Sequence, residues 1–247
     1  MTRKAVTIGS PGSKNSANYL KGGDADLHHI KRFLKSPIGG SWEDHEIEEL
    51  SDCTLENFVE IIQEINTDYL LVYFSGHGHQ DLKETIIALN HTETISITNL
   101  ISFIKASKAL IILDTCRKDI HDEYESFTGP EYLSFKSTLI QPNTREKFMN
   151  ILAESHDGIA IAYACSVGEI SNDSELGGDY TYALLRASLE WYEKCKNESV
   201  LFIHQANDLA RQDLKFTTHF KQNPQLINAK GKEENLNFPF ALKLISL

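Results

Sequence analysis

The chain has 247 residues, with 24 Lys and Arg against 35 Asp and Glu, a formal net charge of −11. An apolar content of 41% excludes general disorder, and the length suits one large domain or two small ones with a core that needs no disulfide or metal staple. The acidic balance, with no basic patch interleaved with aromatics, excludes a protein that tracks nucleic-acid phosphates and disfavours a role on anionic membranes.

Short apolar runs alternate with helical patterns. Lys4 to Ile8 reads as a first strand that ends in the Gly9-Ser10-Pro11-Gly12-Ser13 turn. Asp24 to Leu34 places Leu27, Ile30, Phe33 and Leu34 on one helical face, with Asp24 or Asp26 at its N-terminus. His28 and His29 on that helix read as surface residues. His45 to Leu50 is a weak, acidic strand that suits only an edge. Thr54 caps a helix to Ile65 whose stripe is Leu55, Phe58, Val59, Ile62 and Ile65.

Tyr69 to Phe74 is continuously apolar and rich in β-formers, the pattern of a parallel strand buried on both faces. Thr85 to Leu89 is a short strand and Thr98 to Ala106 a helix. Ala109 to Leu113 and Gly158 to Ala164 are two further buried strands. Asp179 to Cys195 and Ser199 to Leu214 read as helices, and Pro224 to Asn228 and Phe238 to Ile245 as closing strands. This alternation predicts an α/β fold, a mostly parallel sheet covered by helices. Arg117 to Asp157 has little periodicity and holds Gly129-Pro130 and Pro142-Asn143, so it reads as a long loop, functional or disordered.

Active sites of open α/β sheets lie beyond the carboxyl ends of the strands. Two buried strands carry reactive residues there. One runs into Ser75-Gly76-His77-Gly78-His79, the other into Asp114-Thr115-Cys116-Arg117. Neighbouring parallel strands would set His77 beside Cys116. A thiol needs a base to become a nucleophile, and a histidine supplies one. The amides of Gly78 and Cys116 could then face a developing oxyanion. Either residue alone reads as ordinary, Cys116 as a buried apolar group and His77 as a satisfied polar one; the pair is what points to chemistry. Cys53, Cys165 and Cys195 lack such a setting and read as structural. With four cysteines, no CxxC pair and no signal-peptide or membrane-spanning run, the expected setting is a reducing cytoplasm.

An apolar strand followed by Ser-Gly-His-Gly, then an apolar strand followed by Asp-x-Cys, resembles the caspase-like cysteine peptidases, metacaspases in particular. Leu20-Lys21-Gly22-Gly23-Asp24-Ala25-Asp26 resembles the family's turn into its first helix. Gly158 to Ser166 with Glu169, Gly178 to Leu185, Asn223 to Leu226 and Phe238-Pro239-Phe240 resemble later segments in the right order, so the likeness spans nearly the whole chain. It implies a single caspase-like α/β/α sandwich with a mostly parallel sheet of about six strands. Residues 1–117 would form the large-subunit-like part, 118–157 a linker or processing loop and 158–247 the small-subunit-like part.

The resemblance implies a His77–Cys116 dyad. Asp114, Asp26 and Ser75 match the metacaspase pocket that takes arginine or lysine before the cut bond. Two carboxylates converging on one pocket suit a guanidinium. Asp26 also reads as a helix N-terminal residue and Asp114 as a strand-end hydrogen-bonding group. The acidic runs Glu43 to Glu49 and Asp119 to Glu125 read as solvated faces. Arg117-Lys118-Asp119 departs from the family's usual sequence after the cysteine. The short loop from Gly78 to Thr85 lacks the calcium-binding acids of metacaspases, so no metal and no cofactor is expected.

The implied partners are protein substrates and an upstream activating protease, and the implied setting is a bacterial defence or cell-death pathway. Processing within the linker would fall at Lys136, Arg145 or Lys147, the last two favoured because Gln141 to Thr144 should keep that stretch extended and solvated. Two alternatives remain open. His77-Gly78-His79-Gln80-Asp81 resembles the core of a zinc hydrolase, though Leu82 stands where that pattern needs histidine. The chain could also be a catalytically silent caspase-like scaffold.

Overall fold

The computed structural model describes residues 1–16, 19–82, 84–118, 143–218, 221–231 and 237–244. In chain order β1 (Arg3–Ser10) leads to α1 (Gly23–Lys35), a short 3-10 turn (Asp44–Glu46) to β2 (Ile47–Ser51), and α2 (Leu55–Glu64) to β3 (Tyr69–Gly76). Three short strands follow, β4 (Gly78–Asp81), β5 (Glu84–Ala88) and β6 (Thr94–Ser96), then α3 (Ile97–Phe103) and β7 (Lys108–Asp114). After α4 (Arg145–Glu154) come β8 (Gly158–Tyr163), the two-residue strands β9 (Asp173–Ser174) and β10 (Gly177–Gly178), and α5 (Asp179–Lys194). The chain closes with β11 (Val200–Phe202), α6 (Ile203–Thr217), β12 (Gln225–Lys230) and β13 (Pro239–Leu242).

The central sheet has six strands in the order β12-β8-β7-β3-β1-β2. Every pairing in it is parallel except β12 against β8. Each residue of β3 and β8 is buried, which is why their sequences are apolar without alternation. The two faces nevertheless separate. Ala5, Leu71, Tyr73, Leu110, Ile112, Ala160 and Ala162 pack with residues of α1, α4, α5 and α6. Val6, Ile8, Val72, Phe74, Ile111, Leu113 and Ile161 pack with Phe58 and Ile62 of α2 and Leu100 of α3. The result is an α/β/α sandwich. Leu110, fully buried between β3 and β8, would cost about 2–5 kcal/mol on truncation to alanine.

Several expectations need correction. The stretch read as one loop from Arg117 contains α4, which buries Phe148 and Leu152. The helix expected from Ser199 starts at Ile203, because Val200-Leu201-Phe202 are β-formers that pair with β13. The final strand therefore closes a separate two-stranded sheet and not the central one. Asp24 and Asp26 do stand in the first turn of α1 as expected, with Gly22 at the N-cap and no side-chain cap bond. His29 is buried, while His28 is exposed as expected.

The acidic run after Glu43 is not wholly solvated either. Glu46 is buried and takes both Arg3 (Nε–Oε1, 3.1 Å) and Arg145. Asp119 to Glu125 lies outside the described residues. Among the described residues no helix is long and apolar enough to cross a membrane.

Candidate active site

The register of β3 on β7 pairs Ser75 with Asp114. His77 and Cys116 each follow their partner by two residues, so both stand at one level beyond the carboxyl ends of adjacent parallel strands. Gly78 is tied to this arrangement by close approach: a Cβ there would lie 2.3 Å from Thr115 Oγ1 and 2.8 Å from the Ile86 carbonyl. The His77 ring reaches back toward the turn after β1, where a Cβ on Gly12 would lie 3.4 Å from its Nε2. The His77 carbonyl accepts from the Ala88 amide at 2.9 Å, which fixes the backbone at the start of the β4–β5 hairpin.

The Cys116 sulfur is engaged by the backbone of one residue, Ser171. Sγ accepts from the Ser171 amide at 3.3 Å and donates to the Ser171 carbonyl at 3.4 Å. Burial pushes its pKa up to about 11, with Asp114 and Asp173 adding to the rise, so the resting group at neutral pH is the thiol. The wall beside it is built by Arg117. Its guanidinium stacks 3.9 Å from the Tyr163 ring centre and donates to Thr85 Oγ1, the Cys165 carbonyl and Gln225 Oε1. The departure from the family's sequence after the cysteine is thus a brace joining β5, β8 and β12 behind Cys116.

Asp26, Ser75 and Asp114 come together below this level. Ser75 Oγ donates to Asp26 Oδ2 at 2.6 Å, and the Gly178 amide donates to both Asp26 oxygens at 3.0 and 3.1 Å. Asp114 accepts from Ser171 Oγ at 2.5 Å and from the Thr181 amide and hydroxyl at 2.8 and 2.7 Å. Both carboxyls are buried. Burial and the charge of Asp114 hold Asp26 well above the usual carboxylate range, and burial raises Asp114.

Two further acids join them that the sequence did not single out. Asp173 accepts from the Gly22 amide at 3.1 Å, and burial with Asp114 and Asp179 nearby pushes it up to about 6. Burial and Asp114 also raise Asp179. Among the described residues none of the four makes an ion pair. Gly178 admits this crowding, since a Cβ there would lie 2.3 Å from Asp114 Oδ2. For Asp179 the visible signal in the sequence was the glycine doublet Gly177-Gly178 directly before it.

Other expected residues fall elsewhere. Arg145 and Lys147 are not in extended, solvated chain. Thr144 is buried, α4 begins at Arg145, Arg145 pairs with Glu46, and Lys147 Nζ donates to the Lys243 carbonyl at 2.7 Å. Lys136 lies outside the described residues. The zinc alternative needs several ligands in one place. Along β4, Gln80 is buried while Asp81 is exposed, and no group of three or more His, Cys, Asp or Glu placed to hold a metal occurs among the described residues. Cys53, Cys165 and Cys195 are free thiols, Cys53 and Cys165 buried.

Comparison with known proteins converges on one family. The family model for the caspase domain matches residues 2–234. Among curated proteins, none matches the sequence significantly. Among solved structures, caspase-1 from Spodoptera frugiperda is similar over 91% of this chain and 85% of its own, with 15% identity and a TM-score of 0.56. A protein from Geobacter sulfurreducens is similar over 95% of this chain and 96% of its own, with 13% identity and a TM-score of 0.62. At those identities the structures attest the fold, and the family model attests the kinship: the chain belongs to the caspase-domain family of cysteine peptidases.

Proposed function

We propose that the protein is a cysteine endopeptidase that cleaves proteins after arginine or lysine, with His77 and Cys116 as its dyad. The observation that carries this reading is the meeting of two things at one sheet end: a thiol and an imidazole at equivalent positions just beyond neighbouring strands, and a cluster of buried carboxyls with no cation paired to it among the described residues. Taking carboxylates out of water without a cation is costly, and an incoming guanidinium or ammonium offsets that cost.

In the mechanism His77 accepts the Cys116 proton as Sγ attacks the carbonyl carbon of the scissile peptide. The negative oxygen is held by the Gly78 and Cys116 amides. His77 then protonates the leaving amine, the C–N bond breaks and a thioester remains. Water, deprotonated by His77, displaces the thiol and restores it. Because the resting sulfur is a thiol, proton transfer to His77 accompanies attack. The substrate's basic side chain enters toward Asp26, Ser75 and Asp114, with Asp173 as a further carboxylate at the same pocket.

The biological setting follows from the family resemblance: a regulated bacterial protease acting in defence or cell death, with an upstream protease as its activator. Arg145 and Lys147 would have to leave α4 before a protease could bind them as extended chain; Lys136, the remaining processing candidate, lies outside the described residues. A fluorogenic peptide panel varied at the residue before the cut bond tests the core of this reading. Arginine and lysine peptides should be cleaved, and Cys116→Ala and His77→Ala should each abolish cleavage while the protein stays folded. Preference for aspartate would overturn the pocket assignment.

A second reading, a catalytically silent scaffold, is favoured by one observation. The Cys116 thiol donates to the Ser171 carbonyl, and its pKa is pushed far above neutral. Full biological activity of Cys116→Ala would select it.

A further inference from the structure

We propose that Ser171 is a positioning residue that links Asp114 to the nucleophile, its hydroxyl holding the carboxyl and its backbone amide and carbonyl, on either side of its Cα, holding the Cys116 sulfur. Three contacts define the role. Ser171 Oγ donates to Asp114 Oδ1 at 2.5 Å, its amide donates to Cys116 Sγ at 3.3 Å, and its carbonyl accepts from that sulfur at 3.4 Å. No other described residue is hydrogen-bonded by its side chain to Asp114 and by its backbone to the Cys116 sulfur.

The hydroxyl is itself fixed from the far side. Gln222, fully buried, donates through Nε2 to Ser171 Oγ at 3.1 Å and to the Ala164 carbonyl at 3.1 Å. Its Oε1 accepts from the Asn172 amide and side chain, both at 3.3 Å. With its one proton on Asp114 and a lone pair on Gln222, the Ser171 hydroxyl has a single arrangement that satisfies both neighbours. The orientation of the Ser171 backbone follows from that arrangement, and with it the place of the sulfur.

Resting on the assignment of Cys116 as nucleophile and Asp114 as a pocket acid, this role gives the pocket a route to the thiol. In the resting protein the thiol proton points at the Ser171 carbonyl. A proton given to that carbonyl is not given to a base. A cation that draws Asp114 toward it pulls on the Ser171 hydroxyl, turns the backbone and frees the sulfur. Occupancy of the pocket and reactivity of the thiol then rise together, which would restrain the protein when no basic side chain is bound.

The test reads the sulfur without a substrate. The rate constant for alkylation of Cys116 by iodoacetamide is measured on the full chain, from the mass of the Cys116 peptide, for the wild type, Asp114→Asn, Ser171→Ala and the double variant. The expected result is non-additivity: the factor by which Asp114→Asn changes the rate should differ by at least about three-fold between the wild-type and Ser171→Ala backgrounds. Ser171→Thr, which keeps the hydroxyl, should respond to Asp114→Asn as the wild type does.

Should Ser171→Ala not fold, Gln222→Ala loosens the same hydroxyl from its other side and should shrink the response in the same sense. Equal factors in both backgrounds would overturn the proposal, because a charge acting through space does not need Ser171. Peptide cleavage separates this outcome from the functional reading. Non-additive alkylation without cleavage of basic peptides leaves Ser171 in its role and rejects the specificity, while cleavage with additive alkylation does the reverse.

Discussion

The two ends of the central sheet bury charge in opposite ways. At the amino end, Glu46 is held between two arginines, Arg3 (Nε–Oε1, 3.1 Å) and Arg145, while the Arg3 guanidinium lies 4.1 Å from the Trp42 ring centre. The carboxylate pKa falls to about 2, the donors outweighing burial. At the carboxyl end, burial raises Asp26, Asp114, Asp173 and Asp179, the charge of Asp114 adds to the rise of the other three, and among the described residues their donors are neutral. The first arrangement is complete and acts as a structural staple between β1, the turn before β2 and α4. The second has no cation among the described residues, and in the reading proposed above a substrate's basic side chain supplies it. A buried group whose pKa is driven in the unfavourable direction costs folding free energy, and such groups cluster at binding sites.

The largest effect is expected from breaking the complete cluster. Glu46→Gln leaves the buried Arg3 with no carboxylate and Arg145 with only Glu43, 3.6 Å away, and should destabilise by about 3–5 kcal/mol in urea unfolding. It should do so with little change in the peptide-cleavage specificity of the fraction that remains folded. A loss below about 1 kcal/mol would show that this ion cluster is a bystander.

Crowding the incomplete cluster comes next. Gly178→Ala sets a Cβ where Asp114 Oδ2 now lies, 2.3 Å away, and displaces the amide that binds Asp26. A cost of about 1–3 kcal/mol is expected from such overpacking. KM for arginine peptides should rise while Cys116 still reacts with iodoacetamide. An unchanged KM would remove these carboxyls from substrate binding.

The smallest effect has the most informative sign. Asp173 is raised to about 6 from an ordinary value of 3.8. The folded state therefore holds its proton more tightly than the unfolded chain does, and ionising it above pH 6 weakens the fold. Asp173→Asn should raise the thermal midpoint at pH 7 by about 2–4 °C per kcal/mol of relief. The gain should shrink as the pH falls below 6 and vanish below 3.8, where the aspartate is protonated in both states. The same variant should flatten the fall in kcat/KM for arginine peptides that the wild type shows on acidification below pH 6. A destabilised Asp173→Asn would contradict the assignment of this carboxyl as unpaired.

How much of this was legible in the sequence depends on what kind of pattern each element leaves. β1, β3, β7 and β8 declare themselves because a strand buried on both faces must be apolar throughout. From them the sites of His77 and Cys116 follow, and so does the sheet between two helical layers. α4 buries only Phe148 and Leu152 and follows Pro142-Asn143, so its period is too faint to read. β4, β9 and β10 are defined by their pairing partners, and glycine and polar residues carry no strand signal. Ser171 and Asp173 were illegible for a related reason. Their role comes from where a loop returns to the sheet end, which no local spacing encodes. Asp26 was legible only through the family turn, since its helix position alone read as an N-terminal acid that the structure does not use as a cap.

The central claim is that the carboxyl-end cluster is an unfinished ion pair awaiting a basic side chain. Calorimetric titration of an arginine-terminated peptide into Cys116→Ala protein at pH 6, run in two buffers of different ionisation enthalpy, tests it most directly. Binding should release about one proton, because a cation beside Asp26, Asp114 and Asp173 draws their raised pKa values down. Tighter binding of an aspartate-terminated peptide, or arginine binding with no proton released, would contradict it.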